Sequence, residues 1–263
     1  MKGTFINKGG ARINKGEARI NTVGRGQDGH MTLTVARQFR GPDRSGNGGY
    51  TAGLLAGAGW TGAQAVTVTL RQPPPLDIAL SVVLDGAGIR LMHGDEVVAT
   101  AEPGSLGRVA ADPVPFDVAV KASEGFAGFA KHPFPGCFTC GPARTAGDGL
   151  RVFPGPVGGD VVAAPWVPAD GFADAAIVWA ALDCPGGWSL DLVGRPMVLG
   201  RITATVASVP SVGERCVVVG HARGIDGRKG FTDSALYGED GRLLARAEQT
   251  WIAVDPAAIN ALR

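Results

Sequence analysis

The chain has 263 residues and a net charge of +1, with 25 Lys and Arg against 24 Asp and Glu; that balance excludes the basic excess of a dedicated nucleic-acid binder. Hydrophobic residues make up 45% of the chain, enough for a real core, and the longest strongly apolar stretch, 175–182, is too short to span a bilayer. No N-terminal segment has the order of a signal peptide, and four cysteines are too few for a disulfide framework, so a cytoplasmic protein with reduced thiols and no membrane or nucleic-acid partner is expected.

Residues 6–26 carry a seven-residue repeat: Ile6-Asn7-Lys8-Gly9-Gly10-Ala11-Arg12, then Ile13-Asn14-Lys15-Gly16-Glu17-Ala18-Arg19, then Ile20-Asn21. A coiled-coil seam needs two apolar positions per heptad, and each copy offers one large apolar residue. Residues 1–30 are therefore expected to form a disordered basic tail, with Met31 as a working start. An arm that touches RNA or a membrane is the rival reading.

From Met31 the chain is patterned. Residues 31–40 alternate like a strand. A glycine-rich turn over 45–49 leads into 50–60, an apolar segment of helix length. Strand-like runs follow at 65–72, 76–84, 89–93 and 96–102, with breaks at Pro73-Pro74-Pro75, Asp85-Gly86 and Gly94-Asp95. A Pro/Gly-rich connector, roughly 103–149, could carry a short helix near 118–130. Strand-like 150–153 and 161–167 then precede an apolar helix candidate at 172–183 and strand candidates at 201–209, 215–223, 230–237 and 242–253. The order of the first half thus recurs in the second. The closest match is Val97-Val98-Ala99-Thr100-Ala101-Glu102 against Leu243-Leu244-Ala245-Arg246-Ala247-Glu248. Strands that follow one another without intervening helices disfavour a doubly wound parallel sheet. The expected class is α+β: two tandem domains, each an antiparallel sheet wrapped around a central helix. Their bounds are 31–117 and 148–256, with a linker at 118–147 and a C-terminal tail at 257–263.

These units resemble hotdog domains, in particular the double-hotdog acyl-CoA thioesterase-like proteins. Asn47-Gly48-Gly49-Tyr50 is similar to the His/Asn-Gly-Gly that opens the central helix in many hotdog thioesterases. Ala180-Ala181-Leu182-Asp183, with Gly186-Gly187 after it, resembles the segment that carries their catalytic acid. The stretch His132-Pro133-Phe134-Pro135-Gly136-Cys137-Phe138-Thr139-Cys140-Gly141-Pro142 resembles a linker of actinobacterial members. The resemblance implies hydrolysis of an acyl-CoA or acyl-carrier thioester with no required cofactor; homo-oligomerisation is left open. The rivals it leaves are a non-catalytic acyl-CoA-binding protein and a hotdog dehydratase or hydratase.

On this reading Asn47, Gly48 and Gly49 supply an oxyanion hole, since a helix N-terminus presents unpaired N–H groups and glycine lets a carbonyl approach closely. A plain N-cap and tight turn is the alternative. Asp183, late in an apolar helix, is disfavoured there by the helix dipole and by burial. It is the candidate general base or nucleophile, against a simple exposed helix end before Pro185. Lys131, Arg144 and Arg151 are candidates for holding CoA phosphates. Cys137 and Cys140 have zinc-like C-x-x-C spacing with His132 nearby. The set lacks a clear fourth ligand, although Cys184, Cys216, His93 or His221 could complete it in space. No metal is expected, and well under one zinc per chain. No acid lies between Tyr50 and Asp77, so only one of the two helix pairings expected from duplication can carry a base.

Overall fold

The computed structural model describes residues 24–25, 31–60, 62, 64–107 and 111–255. The expected tails fall almost wholly outside these residues: 257–263 is not described, and of 1–30 only Gly24–Arg25 is. Those two residues form strand β1, paired with Met31 and Thr32.

The first half continues with β2 (Met31–Thr34), α1 (Gly48–Gly59), β3 (Val66–Leu70), β4 (Ala79–Asp85), β5 (Gly88–His93) and β6 (Glu96–Pro103). After the connecting helix α2 (Phe116–Ser123), the second half has β7 (Gly155–Gly158), β8 (Val161–Trp166), α3 (Ala175–Trp188), β9 (Met197–Val206), β10 (Cys216–Asp226), β11 (Lys229–Tyr237) and β12 (Leu243–Ala253). All strands belong to one antiparallel 12-stranded sheet, ordered β1-β2-β4-β5-β6-β3-β9-β12-β11-β10-β8-β7. The order β2-β4-β5-β6-β3 in the first half is matched by β8-β10-β11-β12-β9 in the second. The two halves are therefore the same unit twice, related about the β3–β9 junction.

At that junction Val66, Thr67, Val68 and Thr69 pair with Ala204, Thr203, Ile202 and Arg201. The hydroxyls of Thr67 and Thr203 lie 2.8 Å apart across it. Each half alone would end in an edge strand with unpaired N–H and C=O groups; pairing the two edges satisfies both. The tandem units thus share one sheet.

Both central helices lie against this sheet. In α3 every residue from Ile177 to Trp188 is buried, as expected for a helix apolar all round. The helix differs from its expected bounds at both ends. Asp174 is the N-cap, its Oδ1 accepting from the Ile177 N–H at 2.9 Å, so Phe172 precedes the helix. At the other end the helix continues through Pro185, which cannot donate a backbone hydrogen bond, to Trp188. Packing overrides local propensity there. A Cβ on Gly186 would meet Gln249 Oε1 at 1.8 Å, one on Gly187 the Trp251 ring at 2.7 Å, and one on Gly220 the Pro185 carbonyl oxygen at 2.1 Å. The last turn of α3 is pressed onto β10 and β12 at positions only glycine can fill.

Two further expectations are corrected. Residues 150–153 are not a strand. Their backbone bonds to the connector instead, Leu150 N–H to Phe138 O and Val152 N–H to Thr139 O, and their apolar side chains pack inward. Nor is 118–147 a mere linker. Phe138 within it is fully buried, with ring centroids 4.8 Å from Phe39, 5.9 Å from Tyr50 and 5.5 Å from Phe172. The connector thus plugs the seam between the halves. The short helix expected there is α2, followed by a single 3-10 turn, Ala127–Phe129. No helix of the described residues is long and apolar enough to cross a membrane.

Candidate active site

Asn47 caps α1, its Oδ1 accepting from the Tyr50 N–H at 2.8 Å. Gly49, and Gly53 one turn further on, are required by the close approach of α3. A Cβ on Gly49 would lie 2.5 Å from Asp183 Cβ and 2.6 Å from the Trp179 carbonyl oxygen; one on Gly53 would lie 2.8 Å from Ala176 Cα. Glycine at these positions lets the helix backbones touch, and the Gly49 N–H donates to Asp183 Oδ2 at 2.9 Å.

Asp183 is 3% exposed. Burial pushes its carboxyl up to about 7 against the hydrogen bond from Gly49; the charge of Cys137 adds to the rise, and the Asn47 side chain opposes it. Oδ2 is held by Gly49, while Oδ1 is buried without a hydrogen bond among the described residues.

Beside this pair lies a cavity of about 280 Å³. Asn47, Gly48, Asp183 and Cys184 line one side, and Trp188, Met197, Leu199 and Trp251 make an apolar wall. The Gly48 N–H, at the first position of α1, meets no acceptor among the described residues. Gly49 thus holds the carboxylate, while Gly48 lines the cavity.

The expected phosphate ligands fare differently. Arg144 is buried and occupied, with Nε to Gly136 O at 2.8 Å, a terminal nitrogen to Gln38 O at 2.8 Å and the other to Asp148. Its fork clamps the connector, so it is not open to a phosphate. Arg151 is exposed, its guanidinium over the Phe153 ring and bonded to Arg144 O; Lys131 is exposed. Neither lines the cavity. Among the described residues Arg71, just after β3, does line it, and nothing in the local sequence marked it.

Sequence reasoning also missed Gln249. Buried on β12, it donates to Leu182 O at 2.7 Å and Ser234 Oγ at 3.0 Å, and accepts from Thr232 Oγ1 at 2.7 Å. It braces the backbone of α3 at the turn that carries Asp183. A lone glutamine in a strand gives no sequence signal of this.

Cys137 and Cys140, from the connector, are joined by Cys184, the residue after Asp183. The three sulfurs lie within 4.8 Å of one another. His93 and His221 are not part of this group, and Cys216 lies apart on β10.

No protein-family model matches the sequence, and no curated protein matches it either. Solved structures do. A candidate thioesterase from Novosphingobium aromaticivorans matches at a TM-score of 0.57 and 14% identity, over 85% of this chain and 95% of that one. A protein of Alicyclobacillus acidocaldarius described as having a hotdog fold matches at 0.53 and 17% identity, over 86% and 93%. Acyl-CoA thioesterase II of Mycobacterium marinum matches at 0.53 and 12% identity, again over 86% and 93%. The fold is a double hotdog. In this double hotdog the two helices lie antiparallel, with Gly49 against Asp183 and Gly53 against Trp179. Counted from the N-caps Asn47 and Asp174, Ala56 holds in α1 the place that Asp183 holds in α3. The reciprocal pairing therefore has alanine where the first has its carboxylate.

Proposed function

We propose that this chain hydrolyses acyl-CoA thioesters at the site formed by Gly48 and Asp183. The observation that carries the reading is that Gly48, the first residue of α1, and Asp183, a buried carboxylate with an unbonded Oδ1, line one apolar cavity. The thioester carbonyl oxygen is polarised by the Gly48 N–H, whose partial positive charge opposes the developing oxyanion. Asp183, fixed through Oδ2 by Gly49, accepts a proton from water at Oδ1 as the water oxygen attacks the carbonyl carbon. Collapse of the tetrahedral intermediate breaks the C–S bond. The thiolate takes the proton from Asp183, and a carboxylic acid and CoA thiol leave.

The acyl chain fits the apolar wall of Trp188, Met197, Leu199 and Trp251, and Arg71 faces the same cavity as a cation for the CoA phosphates. The names of the solved structures with this fold support the choice of chemistry over the dehydratase and pure-binding readings. No cofactor enters these steps, and a CoA substrate fits a cytoplasmic enzyme. The test is free-thiol release across an acyl-CoA panel by wild type and Asp183→Asn. The variant keeps its melting temperature and acyl-CoA binding but loses at least ~10²-fold in turnover. Near-normal turnover in a folded Asp183→Asn protein overturns the assignment.

A further inference from the structure

Sequence spacing offered two thiols and a histidine; the fold adds a third thiol. Cys137 and Cys140 sit on a tight turn in which the Gly141 N–H donates to Cys137 O at 2.9 Å. A Cβ on Gly141 would meet that oxygen at 2.4 Å, so the turn requires glycine there. The turn brings both sulfurs to Cys184 on α3, with Cys137 Sγ and Cys184 Sγ 3.8 Å apart. Tetrahedral zinc at its usual Zn–S distance of ~2.3 Å sets its sulfurs about 3.8 Å from one another. A disulfide would need about 2.05 Å.

N–H donors surround two of the three sulfurs. Trp188 Nε1–H, which can only donate, points at Cys140 Sγ at 3.3 Å. Asn47 Nδ2 donates to Cys137 Sγ at 3.8 Å. His132 Nδ1 accepts from the Phe134 N–H at 2.9 Å, so a neutral ring carries its proton on Nε2, which faces Cys140 Sγ at 3.4 Å. Three donors thus converge on the sulfurs, the arrangement that tunes a metal's ligands from outside. Among the described residues no Lys or Arg donates to any of the three sulfurs. Buried thiolates without a cation are costly. A soft thiolate set with C-x-x-C spacing selects zinc.

We propose that Cys137, Cys140 and Cys184 bind one zinc ion that ties the connector to α3, with the fourth position opening onto the cavity all three cysteines line. His132, Trp188 and Asn47 are positioning residues whose N–H groups offset the excess negative charge of three thiolates on a dication. The site can be tested apart from the thioesterase reading, because it rests on sulfur geometry and needs neither the Gly48 N–H nor the Asp183 carboxylate.

The test is elemental analysis of full-length protein from zinc-supplemented cells after desalting, with cobalt substitution as a second readout. Wild type and Cys216→Ala should hold about one zinc per chain, and Cys137→Ser and Cys184→Ser should lose it. Cobalt-loaded wild type should show thiolate-to-cobalt charge-transfer absorption, a result that stands even where a cysteine variant fails to fold. Folded wild type that holds no zinc and gives no charge-transfer band overturns the proposal. So does zinc undiminished in Cys184→Ser, or a Cys137–Cys184 disulfide in the protein as purified.

Discussion

The backbone N–H of Gly49 donates to the carboxylate of Asp183 at 2.9 Å, across 134 residues of sequence and between the central helices of the two halves. Neither half contains this pair by itself. The sheet junction at β3 and β9 fixes the relative position of the halves. The glycines of α1 then let the helices approach until a main-chain donor of one reaches a side chain of the other.

That contact leaves no room for a methyl group. Gly49→Ala should force the helices apart and cost about 1–3 kcal/mol, the usual penalty for overpacking a dense contact. It should also displace Asp183 and abolish turnover. Gly57→Ala, two turns further along the same helix, meets nothing within 4 Å. It should stabilise by about 0.5–1 kcal/mol through reduced unfolded-state freedom. Thermal melts of the two variants should therefore shift in opposite directions, and equal shifts would argue against the close approach.

Arg144 and Arg71 should separate structure from recognition. Arg144→Lys should destabilise by at least ~2 kcal/mol, because an ammonium cannot reproduce a fork bonded to Gly136, Gln38 and Asp148. Arg71→Ala should move stability by no more than ~0.5 kcal/mol, being a surface change. It should raise KM for CoA esters and leave KM unchanged for a thioester that lacks the nucleotide. Equal KM effects on both substrates would remove Arg71 from phosphate binding.

One productive ligand should bind per chain. The first helix pairing joins a donor to Asp183, and the reciprocal pairing has Ala56 in the place of the acid. Calorimetric titration with a non-hydrolysable acyl-CoA analogue should saturate near one equivalent. Two equivalent productive sites would contradict the asymmetry.

Gln249→Met keeps the length of the side chain and removes its polar atoms. Thr232 Oγ1, Ser234 Oγ and the Leu182 carbonyl each lose a buried partner. Unfolding should show a loss of about 1–3 kcal/mol. An unchanged melting temperature would show that these bonds do not brace α3.

Local chemistry made much of this molecule legible. The succession of helix and strands came from apolar periodicity and turn residues, both properties of neighbouring positions. Asn47-Gly48-Gly49 and Asp183 stood out because an N-cap with glycines, and an acid in an apolar helix, are anomalies within a few residues. No acid lies between Tyr50 and Asp77, so the first helix offers none to a reciprocal site. What the tertiary structure decided depends on groups far apart in the chain. Residues 150–153 alternate like a strand but bond to the connector, because Phe138 and Thr139 reach them before any sheet edge does. The helix α3 passes through Pro185 because Gly186, Gly187 and Gly220 allow a contact too close for any side chain. Arg144 was a plausible surface cation until the connector folded over it. Cys184, 44 residues from Cys140, reaches its sulfur only because the connector is wedged against α3. Periodicity sees which face of an element is apolar, and packing decides which distant face it meets.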